Sequence, residues 1–97
     1  MPICKILKKA IETYGVDHQT KKCVEEVGEL LQAIAKYQNA HDIEEAAECL
    51  DHLQEEIADC CIMMEQMIMM YGEREITKKI MEKSQRLEKR MSAEVTP

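Results

Sequence analysis

The sequence predicts an all-helical protein. Breakers are scarce: 97 residues contain three Gly and two Pro, and both prolines, Pro2 and Pro97, stand at the ends. The stretches between are rich in Glu, Lys, Met, Ala and Leu, which are good helix formers. Apolar residues recur three and four apart, the period of an amphipathic helix.

Four helices are expected in order. The first runs from about Ile3 to Tyr14, with Ile6, Leu7, Ala10 and Ile11 on one face, and Gly15 stops it. Asp17 is the expected N-cap of a second helix reaching about Gln38. Residues 39–42 form a turn. A third, long helix runs to Tyr71, with a break possible in its first turns, and stops at Gly72. The fourth covers roughly Glu73 to Met91, and a frayed tail is expected from Ser92 to Pro97. The third helix carries a seam at alternating three and four spacing: Leu50, Leu53, Ile57, Cys60, Met64, Met67 and Tyr71. It is apolar nearly all round between Ile57 and Tyr71, so several neighbours must cover it. One chain of this length offers too few. The expected architecture is therefore a single four-helix domain, residues 1–97, whose four-helix-bundle core is completed by dimerisation or by a dimer of dimers. The methionines from Met63 to Met70 fit that core and interface better than an adaptable docking surface.

Composition excludes several functions. A net charge of −6 argues against binding a nucleic-acid polymer, which needs a basic surface. No apolar run is long enough to span a membrane, and no signal peptide opens the chain. Five cysteines, odd in number and without Cys-x-x-Cys spacing, read as free thiols in a reducing cytoplasm.

Two acidic clusters carry the chemistry: Glu25-Glu26-x-x-Glu29, and Glu56-x-x-Asp59 about one helix later. Like charges at this spacing repel unless a cation joins them. On a wheel of the second helix, Glu26 lies at the edge of the apolar arc beside Leu30 and Ala33. Glu29 is on the flank, and Glu25 falls with the solvent-side residues Lys21, Gln32 and Lys36. On the third helix, Glu56 and Asp59 share a face with Met63 and Met70. Ionised carboxylates on an apolar face require a cation, either a basic side chain from a neighbouring helix or a metal. Both clusters together favour a metal. The all-oxygen ligand set suits Mg²⁺, with Mn²⁺ as a substitute, rather than Zn²⁺. The Glu-x-x-His motif of di-iron bundles is absent. His52, one turn before Glu56, reads as a surface or packing histidine near the site.

The fourth helix bears an apolar stripe of Ile76, Ile80, Leu87 and Met91. Beside it runs a basic stripe of Lys79, Lys83, Arg86 and Arg90. Taken alone, these cations snorkel beside a buried seam. Beside a carboxylate-held metal they suit a polyphosphate, because metal and cations share its negative charge.

Glu25-Glu26-Val27-Gly28-Glu29-Leu30 followed by Glu56-Ile57-Ala58-Asp59 resembles the paired motif of the MazG-like all-α NTP pyrophosphohydrolases. The approach segment from Tyr14 to Gln19 and the basic segment from Lys79 to Arg90 are also similar, so the resemblance covers roughly residues 14–90. It implies an enzyme that hydrolyses an NTP or dNTP between the α and β phosphates, for nucleotide housecleaning or pool control. By position, Glu26, Glu29, Glu56 and Asp59 would hold Mg²⁺. Glu25 and Glu26 would be catalytic, with Glu25 orienting the attacking water or holding a second metal. Lys83 and Arg86, then Lys79, Arg90 and Gln19, would contact substrate. Many relatives place an Asn where this chain reads Lys83-Ser84-Gln85-Arg86. The alternative from the residues alone is a non-catalytic helical interaction module, or a regulator that binds nucleotide without turnover.

Overall fold

Two glycines divide most of the chain into helices. A computed structural model describes residues 1–95, and among them every regular element is helical. α1 spans Ile3–Tyr14, α2 Val16–Gln38, α3 Ile43–Tyr71 and α4 Glu73–Val95. Gly15 has φ 91° and Gly72 φ 121°, values that side-chain-bearing residues rarely adopt. Each lets one helix end and the next begin with a single residue between them.

The expected boundaries need three adjustments. Asp17 is not the N-cap of α2. Because Gly15 alone separates α1 from α2, α2 starts at Val16, and Asp17 lies in its first turn, paired with Lys21 at 3.1 Å. α3 is unbroken from its start, where Asp42 Oδ1 accepts a hydrogen bond from the Glu45 backbone N–H at 2.7 Å. α4 continues through Ser92–Val95, which contain no breaker. Thr96 and Pro97, the rest of the expected frayed tail, lie outside the described residues.

α2 and α3 pair as an antiparallel hairpin closed by residues 39–42. Three side-chain contacts fix its register: Gln19 with Gln66, Thr20 with Tyr71, and Cys60 with the Glu26 carbonyl. α1 packs across both helices through Leu7, while α4 touches only α3. Leu7, Cys23, Ala33, Cys60 and Met63 are the buried apolar residues, and no large side chain among those described is fully enclosed.

The expected α3 seam divides into two columns. Leu53, Cys60 and Met67 are buried or half-buried. Leu50, Ile57, Met64 and Tyr71, spaced by seven, are 39, 46, 50 and 55% exposed. No described helix is long and apolar enough to cross a membrane. All five cysteines are free thiols.

Candidate metal centre

The hairpin register sets the two acidic clusters against each other. Cys60 anchors it here: its thiol donates to the Glu26 backbone carbonyl at 3.2 Å. Burial, then the charge of Glu26, raises the Cys60 pKa, so the thiol keeps the proton it donates. One turn before Cys60 on α3, Glu56 meets Glu26 and Glu29 of α2. One carboxylate oxygen from each of the three lies within 4.8 Å of the others. The three carboxylates are thus close enough together to be candidate ligands of one divalent cation.

Burial distinguishes the members. Glu26 and Glu56 are only 8% exposed, whereas Glu29 is exposed. Glu26 Oε2 and Glu56 Oε2 are buried and have no hydrogen-bond partner. A buried anionic oxygen without a donor is costly, and a hard cation satisfies it. The donor set therefore fits Mg²⁺ or Mn²⁺.

No protein-family model, curated protein or solved structure matches this chain.

Electrostatics points the same way. Burial pushes the Glu56 pKa above the ordinary glutamate value of 4.5, and the charges of Glu29, Asp59 and Glu26 push it further. His52, whose Nε2 is 4.0 Å from Glu56 Oε1, opposes the shift. A carboxyl with a raised folded-state pKa binds its proton more tightly than the unfolded chain does. Its ionisation therefore destabilises the metal-free protein as pH rises through that pKa. The Glu56→Gln variant lacks this titration. The melting temperature of the metal-free wild type is expected to gain on that of the variant as pH falls from neutral towards 4.5. Parallel melting curves across the range would remove Glu56 as the source of strain.

The other expected site residues separate. Asp59 is exposed and outside the close group, although its charge reaches Glu56. Glu25 points outward and lies 3.7 Å from Lys22. Gln19 is buried, donating to Gln66 Oε1 at 2.8 Å and accepting from His18 Nδ1 at 2.8 Å. A substrate contact from Gln19 requires it to give up one of these bonds. Lys79, Lys83, Arg86 and Arg90 are exposed on α4, which makes no contact with α2.

Lys22 is a participant absent from the expected set. Its Nζ is 3.3 Å from Glu26 Oε1, and hydrogen bonding to Glu26, with the charges of Glu26 and Glu25, raises its pKa. The spacing of four between Lys22 and Glu26 was the available signal. Lys22 engages Oε1 of Glu26 and leaves Oε2 unpartnered.

Proposed function

We propose that this chain is a Mg²⁺-dependent nucleoside triphosphate pyrophosphohydrolase of the MazG-like all-α type. It would cleave an NTP or dNTP between the α and β phosphates, releasing a nucleoside monophosphate and pyrophosphate. The observation that carries this is the convergence of Glu26, Glu29 and Glu56 around two buried, unpartnered oxygens.

Glu26, Glu29 and Glu56 would hold the metal, with Asp59 completing the set from the next turn of α3. When bound, the metal supplies positive charge to the phosphate chain and acidifies a coordinated water. Lys22 fixes the carboxylate of Glu26 through Oε1. Glu25, exposed on the outer side of α2, is available to orient the attacking water and take its proton. Lys83 and Arg86 supply cations to the departing pyrophosphate. Mn²⁺ would substitute for Mg²⁺, since both accept oxygen ligands in octahedral geometry. The Leu50–Tyr71 column, an apolar strip that one chain leaves open, supports a dimer.

The Lys22–Glu26 ion pair favours a rival, a non-catalytic helical module in which Lys22 alone neutralises the acids. Pyrophosphate release from a panel of NTPs and dNTPs, with and without Mg²⁺, separates the two. Mg²⁺-dependent release from at least one nucleotide is expected. Silence across the panel would leave the non-catalytic module.

A further inference from the structure

The two buried glutamates of the cluster are held in the same way. Each is faced at Oε1 by a nitrogen-bearing side chain one turn earlier on its own helix. Lys22 Nζ is 3.3 Å from Glu26 Oε1, and His52 Nε2 is 4.0 Å from Glu56 Oε1. Both pairs have the spacing of four at which side chains on a helix meet. In both, Oε2 is the oxygen left buried and without a hydrogen-bond partner. The α2–α3 hairpin thus leaves one free oxygen on each buried glutamate rather than two.

One oxygen or two separates the common hard cations. Mg²⁺ demands a near-ideal octahedron with short bonds, and the two oxygens of one carboxylate lie too close together to fill adjacent octahedral positions. Ca²⁺ accepts six to eight oxygens at longer distances in flexible geometry, and takes a carboxylate through one oxygen or both. A carboxylate with one oxygen already committed to an ammonium is therefore still a full ligand for Mg²⁺ but only half of one for Ca²⁺. Lys22 is well placed to impose this. Its side chain is half exposed and reaches Oε1 of a glutamate that is itself buried.

We infer that Lys22 sets the metal preference of the centre: by holding Oε1 of Glu26, it limits that glutamate to a single oxygen and so selects Mg²⁺ or Mn²⁺ over Ca²⁺. His52 acts on Glu56 in the same sense, less firmly at its longer distance. This rests on the metal-holding part of the proposed function and not on hydrolysis. It also differs from plain charge repulsion. A cation beside the cluster weakens the attraction of every divalent ion, so removing its charge strengthens Mg²⁺ and Ca²⁺ alike. Releasing Oε1 favours Ca²⁺ in particular, and so changes the ratio of the two affinities.

Melting temperatures measured against MgCl₂ and, separately, CaCl₂ concentration test the inference. A ligand bound only by the folded state raises the transition, which gives an apparent affinity for each ion. Wild type, Lys22→Met and His52→Leu are compared, with Glu26→Gln as the variant whose carboxylate is gone. Methionine matches lysine in helix propensity without its charge. Lys22 is half exposed, so Lys22→Met is expected to keep its helix content by circular dichroism. The wild type is expected to favour Mg²⁺. In Lys22→Met the ratio of Mg²⁺ to Ca²⁺ affinity is expected to fall by about tenfold, and in His52→Leu by less. Glu26→Gln is expected to respond weakly to both ions. An unchanged ratio in Lys22→Met, with both affinities raised together, overturns the inference and leaves Mg²⁺-dependent hydrolysis standing. A wild type that favours Ca²⁺ also overturns it. A wild type stabilised by neither ion overturns the inference together with the metal centre. A preference lost in Lys22→Met, in a protein that releases no pyrophosphate from any nucleotide, retains the role of Lys22 and removes the enzymatic one.

Discussion

Glu56→Gln is expected to lower pyrophosphate release by about 10²–10⁴-fold and, in the absence of metal, to raise the melting temperature. The two effects have one origin. Glu56 places an anionic oxygen, without a hydrogen-bond donor, in a buried position between Glu26 and Glu29. Glutamine keeps the shape and removes the charge. Its amide also offers donors to the neighbouring carboxylates, so repulsion is replaced by hydrogen bonding. The same change removes a ligand from the metal centre. Mg²⁺ is expected to stabilise the wild type, because a ligand that binds only the folded state shifts unfolding upward. The variant is expected to lose that response. Activity assays and melting curves, each with and without Mg²⁺, check both halves. Equal stabilisation of the two proteins by Mg²⁺ would place the metal elsewhere. Retained activity would remove Glu56 from the mechanism.

Much of the fold was legible because its signals are local. Gly15 and Gly72 stop their helices through their own backbone freedom, and each expected helix is present. Asp17 misled because a polar residue ahead of an apolar run is also what an ordinary first turn looks like. The site was legible in part. Helical spacing puts Glu26 at the edge of an apolar arc and Glu56 on a face with Met63 and Met70, and both are buried. Which third carboxylate joins them depends on how α2 and α3 align, and a wheel of one helix carries no register. The register rests on contacts distant in sequence, such as Cys60 with the Glu26 carbonyl and Gln19 with Gln66. It brings Glu29 rather than Asp59 into the close group. The basic stripe was legible as a stripe. Its distance from the acids was not, because the direction α4 takes after Gly72 is a matter of tertiary packing.

Ile57→Glu combined with Met64→Glu is expected to turn a dimer into a monomer. Both residues belong to the exposed column of α3, and neither contributes to the buried core. In a single chain the new side chains stand in water, so helix content by circular dichroism should be almost unchanged. In a dimer through this column, they and their symmetry mates carry four carboxylates into an apolar strip. Enclosing unpaired charges there costs about 4 kcal/mol or more, at least about a thousandfold in the dissociation constant. Sedimentation equilibrium reads the change directly, and a wild type that is already monomeric would remove the interface. At 100° per residue, this column and the exposed Val24 and Leu31 of α2 lie on one side of the hairpin, and Glu26, Glu29 and Asp59 lie on the other. The interface and the metal cluster can therefore be separated by mutation. The monomeric variant is expected to keep its stabilisation by Mg²⁺, since Glu26, Glu29 and Glu56 all belong to one chain.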